Sequence, residues 1–434
     1  MRASIYAGVL AVSAAALPFA SPACAQFTVL AHATLIDGSG AAPQRDVSIV
    51  IQDGRIAAIV RNTRPETLEL PGGTLIVDLS GKFVVPGIIN AHGHVGPAPR
   101  DPQLRQYALY GVTTTTSMSF DPDDIAEFKA RQRAGDLRGA RILTVKYRFM
   151  SAPFNPGSEY KTPEEGRAKV DDIVAKGADF VKVWIDSQGG RRQKLTRDFV
   201  HAVFDQARKH GKATMAHIVE LDDARMVVDE GVNIIVHNVR DREIPDDFLA
   251  TLKAKNVSVI STLAREEGMF VYGGGPGGYN DDPFFKKALT PQRLAVLNST
   301  KREEQAKDPG RAAAIRAFEI DKINVKRLLD AGVRFGFGTD SGGELNRFFV
   351  QGFYEHRQMQ LLRDAGLTPM QIIQTFSKIN SEILGIEKDF GALAPGKHAD
   401  LLVLARNPLD DITNMRSIEM IYLGGKKFEL GSER

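Results

Sequence analysis

The 434 residues suffice for one large catalytic domain and a smaller one. Hydrophobic residues make up 43%, so a sizeable core can be buried and global disorder is excluded. The formal net charge of +3, without any Lys/Arg block interleaved with aromatics, argues against nucleic acid as a partner.

Residues 1–25 read as an export signal. Arg2 is a short basic region, the run 5–20 is apolar, and Ala23-Cys24-Ala25 fits a cleavage site before Gln26. The run is short for a spanning helix. An uncleaved anchor and a lipoprotein through Cys24 are the alternatives, and Ser21-Pro22-Ala23 makes a poor lipobox. The expected location is the periplasm, with no stable membrane contact after cleavage. Cys24 is the single cysteine. The mature chain would have no thiol, which rules out disulfides, cysteine nucleophiles and thiolate ligands. Any metal must be held by His, carboxylate or modified Lys.

From Phe27 to about Asp78 the pattern is short strands. Val47, Ile49 and Ile51 alternate with polar residues before an Asp53-Gly54 hairpin turn. Runs at 401–404 and 418–423, then Gly424-Gly425, repeat this style at the other end. Segments 26–83 and 392–434 are therefore expected to build one small β-sandwich. Between them strands alternate with helices. The strand expectations are 83–89, 113–118, 142–145, 180–185, 213–216, 233–236, 257–262 and 334–338, with helices such as 163–176, 196–210 and 222–230. This alternation predicts a closed (β/α)8 TIM-type barrel over 84–391. A long insertion at about 263–333 begins glycine-rich and turns charged and helical. It reads either as a lid or as a loop with surface helices.

The chemistry starts at Val84-Val85-Pro86-Gly87-Ile88-Ile89-Asn90-Ala91-His92-Gly93-His94, an apolar strand running into His-Gly-His. Residues i and i+2 of a strand share a face, so both imidazoles point one way. At the C-terminal end of a barrel strand that direction is the active site. Imidazole suits zinc and similar divalent ions. His217 and His237 repeat the placement after the apolar runs 213–216 and 234–236. Taken alone, His-x-His also occurs on surfaces, and a single strand-end His is more often a core residue. The four together are harder to dismiss. Asp340 ends Phe335-Gly336-Phe337-Gly338-Thr339 and can both ligate a metal and accept a proton; it also fits a helix N-cap. Lys182 lies inside the apolar run Phe180-Val181-Lys182-Val183-Trp184. A buried lysine is costly unless paired or neutralised. Neutral, it can take up carbon dioxide as an anionic carbamate (N6-carboxylysine); the alternative is a salt bridge within the barrel. His201, His210 and His398 read as structural or surface residues, and His32 as part of the small domain.

These residues resemble the amidohydrolase superfamily. The run from Pro86 to His94 is similar to its first-strand signature, Gly177-Ala178-Asp179-Phe180-Val181-Lys182 to its fourth-strand segment with the carboxylated lysine, and Gly338-Thr339-Asp340 to its eighth-strand aspartate. The tail from Gly391 to Leu401 is similar to its return into the small domain. Within the superfamily the chain looks most like the imidazolonepropionase-related and prolidase-like branch. The resemblance implies two divalent ions, zinc foremost, with manganese, cobalt or iron as alternatives. His92, His94, Lys182 and Asp340 would hold the more buried ion. Lys182 as carbamate, His217 and His237 would hold the other. It also implies a bridging hydroxide as nucleophile and Asp340 as the proton carrier. Lys182 argues against the mononuclear deaminase branch.

The stretch after the third strand departs from prolidase-like relatives. It reads Lys146-Tyr147-Arg148-Phe149-Met150-Ser151-Ala152-Pro153 and has no histidine. Tyr147 and Arg148 are the candidate substrate contacts there, Arg148 for a carboxylate. Tyr272, in the insertion, and His356, near a helix start, are further candidates. The expected partner is a small molecule or short peptide; a homo-oligomer stays open. The first expectation is hydrolysis of amide bonds in dipeptides or N-acyl amino acids. A lactone, lactam or cyclic amide would use the same ligands. A non-catalytic binding protein predicts missing ligands, and none of the six is missing.

Overall fold

The computed structural model describes residues 27–61, 70–97, 99–151, 162–190, 192–273, 279, 281–287, 289–343 and 349–430. The export signal expected at 1–25 and the glycine-rich stretch 274–278 lie outside them.

Among the described residues, eight parallel strands form the barrel. They are β1 (Ile88–Asn90), β2 (Val112–Ser117), β3 (Arg141–Thr144), β4 (Phe180–Trp184), β5 (Ala213–His217), β6 (Ile234–Val236), β7 (Ser258–Ser261) and β8 (Phe335–Phe337). Pairing runs β1-β2-β3 and β4-β5-β6-β7-β8. Two seams close the ring. At one, Asp179 N donates to Thr144 O at 2.8 Å, and Arg148–Phe149, just beyond β3, pairs with β4. At the other, Ala91 N donates to Phe337 O at 3.1 Å and Thr339 N to His92 O at 3.0 Å.

Sequence explains these elements locally. β2, β5, β6 and β7 are almost wholly buried, as strands covered on both faces must be. The helix Pro163–Ala175 opens with a Thr162/Glu165 capping box and a proline in its first turn. The helix Arg197–Lys209 buries Phe199, Val203, Phe204 and Ala207 along one stripe.

The expected strand 83–89 is two strands. Phe83–Pro86 joins the small domain, and β1 starts at Ile88. The break falls at Gly87, whose N–H donates to Asp400 O at 3.0 Å and whose site has no room for a Cβ beside Thr113. One segment thus belongs to both domains.

The small domain is one continuous mixed sheet. Its order is Lys426–Lys427, Ile418–Leu423, Leu401–Leu404, Phe83–Pro86, Phe27–Leu35, Gln44–Gln52 and Arg55–Arg61, with Leu75–Asp78 also beside Phe27–Leu35. Both ends of the chain contribute to it. The sheet curls on itself, so that Ala399 N donates to Gly54 O at 3.0 Å and Ile56 N to Lys397 O at 2.9 Å. Leu30, Ile49, Ile56, Val84, Leu401 and Val403 fill the inside of the curl.

After β7 the chain forms short helices and then Arg311–Asp330, which buries Phe318, Val325 and Leu328. The Gln305 side chain fastens this insertion: it accepts from Tyr272 N at 2.8 Å and donates to Gly268 O at 2.7 Å. No helix of the described residues is long and apolar enough to cross a membrane.

Candidate metal centre

The C-terminal ends of the strands bring His92, His94, Lys182, His217, His237 and Asp340 together, all buried. Lys182 Nζ lies 3.1 Å from His92 Nε2. Asp340 Oδ1 lies 2.7 Å from His94 Nε2 and 3.3 Å from His92 Nε2. The His237 ring centroid is 4.5 Å from those of both His92 and His217. Single ligand atoms of His92, His237 and Asp340 all fall within 4.8 Å of one another.

The backbone is held tightly around this cluster. His237 and Asp340 have φ of 72° and 54°, in the left-handed region that side chains with a Cβ avoid. Such strain persists where neighbours over-determine it. His237 N donates to Ile260 O at 3.0 Å, and Asp340 N to His92 O at 2.7 Å. Gly338 lets β8 approach β1, since a Cβ there would come within 2.7 Å of His92 Cβ.

Burial dominates the electrostatics. It lowers Lys182 to about 7, with Asp340 opposing and Arg148 assisting. A substantial fraction of the amine is then neutral near pH 7, which explains how it sits beside imidazole nitrogens. Burial also lowers His94, brings His217 to about 3, and drives His92 and His237 well below the usual imidazole range. Burial alone would raise Asp340. The His92, His94 and His237 imidazoles outweigh it and hold the carboxyl well below its usual range.

Neutral imidazoles, a carboxylate and a depressed lysine form a donor set that fits divalent cations. The hydrogen bonding fits as well. His217 Nε2 and His237 Nε2 are buried and make no hydrogen bond, whereas buried polar atoms are normally satisfied. His237 Nδ1 is fixed by Thr262 Oγ1 at 2.6 Å, so its other nitrogen faces the cluster.

The candidate substrate residues separate. Arg148 pairs in register with Lys182, and its charge is felt by both Lys182 and His94. Its guanidinium stands 5.3 Å from the Trp184 ring, which meets His217 edge-on at 5.0 Å. Tyr147 packs instead against Phe149, with Lys169 of the helix Pro163–Ala175 at 5.1 Å from its ring. Strand alternation accounts for the split, because neighbours in an extended chain face opposite sides. Tyr272 is packed in an aromatic cluster, edge-on to Tyr279, with its hydroxyl 3.4 Å from that of Tyr354. His356 is also a packing residue. Its Nε2 meets Tyr110 O at 2.8 Å and its ring lies edge-on to Phe284.

Three further residues at the site were not singled out by the sequence. Arg265 Nε lies 3.4 Å from Asp340 Oδ2, and Arg265 Nη1 is 3.0 Å from the Glu266 carboxylate. Asp186 Oδ2 is 3.7 Å from His217 Nε2. Glu355, beginning a helix, reaches the β1 and β8 ends from behind. Only their placement just after a strand (Asp186, Arg265) could have flagged two of them.

The Amidohydrolase family model matches residues 83–427. The chain belongs to the amidohydrolase family. It is a metal-dependent hydrolase acting on carbon–nitrogen bonds. An uncharacterized protein of Mycobacterium tuberculosis is 22% identical over 415 residues, covering 91% of this amidohydrolase and 95% of the relative. A putative prolidase from Bifidobacterium longum superposes with a TM-score of 0.74 at 24% identity, covering 94% of this chain and 96% of that one. A Xaa-Pro dipeptidase crystallised with methionine gives 0.74 at 18%, covering 93% and 100%. Molinate hydrolase gives 0.73 at 18%, covering 94% and 95%.

Proposed function

We propose that this amidohydrolase is exported and cleaves amide bonds of dipeptides or N-acyl amino acids, using two divalent ions, zinc foremost. The observation that carries the two-ion reading is Lys182, buried, depressed to about 7 and 3.1 Å from His92 Nε2. A neutral Nζ can add to carbon dioxide and lose a proton, giving a carbamate whose two oxygens can serve two cations. His92, His94 and Asp340 would hold one ion with it, and His217 and His237 the other. When bound, two such cations supply Lewis acidity for the carbonyl and lower the pKa of water toward neutrality.

The chain's own residues do the rest. Asp340 Oδ1 is engaged by His94 at 2.7 Å, which leaves Oδ2 to take the proton of the attacking water and pass it to the leaving nitrogen. Arg265, 3.4 Å from Oδ2, keeps that oxygen oriented. Arg148 beside Trp184 offers a guanidinium at the edge of the cluster, suited to the carboxylate of a peptide or acyl amino acid. The likeness of fold to a Xaa-Pro dipeptidase supports a small-peptide substrate.

The test is a panel of dipeptides, N-acyl amino acids, lactones, lactams and cyclic amides, given to protein loaded with zinc in bicarbonate. Turnover of the first two classes is expected. Hydrolysis confined to lactones or cyclic amides would replace the substrate reading and keep the metal site. Export is tested separately: periplasmic protein should begin at Gln26.

A further inference from the structure

Glu355 is wholly buried on the third position of the helix Phe353–Asp364. Its carboxylate gathers donors from three segments. Oε1 accepts from Asn90 Nδ2 at 2.6 Å, Thr339 Oγ1 at 2.9 Å and Ser341 Oγ at 2.9 Å. Oε2 accepts from Gly352 N at 2.6 Å. The first three contacts lead straight to ligands. Asn90 Oδ1 accepts from His92 N at 3.0 Å, and Thr339 and Ser341 flank Asp340. Asn90 Nδ2 also donates to Thr339 Oγ1 at 2.8 Å, so the β1 and β8 ends are tied to each other as well as to Glu355.

We infer that Glu355 is a positioning residue, which sets the spacing between His92 and Asp340 by clamping the two strand ends that carry them. The inference rests on the metal-site reading above. A carboxylate is required because it has acceptors only. With both hydroxyls donating to Oε1, every proton in the cluster has one destination. The Asp340 backbone, at φ 54°, is then supported on both flanks: Asp340 N bonds His92 O, and its neighbours bond Glu355. The other role open to Glu355 is local. Through Gly352 it also caps its own helix, and capping alone would affect stability without reaching the ligands.

Glu355→Gln keeps the shape and breaks the pattern. In one orientation the new amide faces Gly352 N–H, and in the other it faces Asn90 Nδ2; either way two donors confront each other. Ser341→Ala removes one donor on the ligand side and leaves the helix cap intact. Four readouts on the full chain separate the roles: zinc affinity by chelator competition, kcat against KM, the visible spectrum of the cobalt(II)-loaded protein, and thermal unfolding. Glu355→Gln is expected to weaken zinc binding and lower kcat, each by about 10–100-fold. KM should stay within about twofold, because ground-state substrate binding is untouched. The cobalt spectrum should shift. Ser341→Ala should show the same changes at smaller size, and the double variant should be less than additive. Unchanged zinc affinity, kcat and spectrum in Ser341→Ala, with Glu355→Gln losing only thermal stability or failing to fold, would overturn the inference. A wild-type protein that binds no zinc would instead overturn the metal-site reading itself.

Discussion

The two ends of the barrel are built from the same eight strands and treat charge in opposite ways. At the N-terminal end a cavity of about 660 Å³ opens between barrel and small domain, lined by Lys129, Arg141, Asp179, Phe390 and His398 among others. Two of its cations are paired: Lys129 with Asp179 at 2.6 Å, and Arg141 with Asp400 at 2.6 Å while it lies over the Phe390 ring. No group of three metal-ligating side chains gathers there among the described residues. At the C-terminal end, imidazole nitrogens are buried without hydrogen bonds and a lysine is held near neutrality. His398 Nδ1 at the N-terminal end is unsatisfied too, so what sets the C-terminal end apart is that several such atoms gather beside a carboxylate and a buried lysine.

The largest effect should come from Lys182. Lys182→Ala is expected to lower kcat/KM by on the order of 10³-fold or more, because it removes the group that the proposed site would share between both ions. Metal content should fall with it, and added short carboxylic acids should restore part of the activity. A Lys182→Ala protein with the parent's rate and metal content would erase the distinction between the two ends.

Asp340→Asn should follow, with kcat down by about 10²–10⁴-fold, the usual worth of a positioned acid–base group. Its counterpart at the other end is Asp179, which accepts from Thr144 N at 2.8 Å and from Lys129 Nζ. Asp179→Asn should cost about 1–3 kcal/mol of stability by chemical denaturation and leave kcat unchanged. A fall in kcat matching that of Asp340→Asn would mean that chemistry and scaffold are not divided between the ends.

The smallest effect concerns pH in the metal-free protein. Burial brings His217 to about 3. Below pH 6.5 the unfolded chain takes up a proton that the folded one refuses, so stability falls as pH drops toward 3. The slope from this group is about 1.4 kcal/mol per pH unit. Urea midpoints between pH 7.5 and 5 should show a shallower decline in His217→Gln than in the parent. Equal slopes would mean that His217 is freely protonated in the fold.

The barrel and the gathering of the six side chains were legible because each left a local mark. Lys182 interrupts an apolar run, and His92, His217, His237 and Asp340 terminate apolar runs, so strand pattern and chemistry pointed the same way. Gly87 hid a boundary, since nothing in Phe83-Val84-Val85-Pro86-Gly87-Ile88-Ile89 shows that one run serves two sheets. Glu355 was illegible for a different reason: its partner Asn90 is 265 residues away, and its own surroundings look like an ordinary helix start. Tyr272 and His356 drew attention as polar aromatics. Their hydroxyl and imidazole find partners within the packing, which no local pattern reveals.

Metal stoichiometry decides whether the centre holds two ions. Protein stripped with chelator, reloaded with zinc in bicarbonate, freed of excess metal and analysed by plasma mass spectrometry should hold two ions per chain. One ion or none, with Lys182 unmodified by intact mass under non-acidic conditions, would contradict the two-ion site.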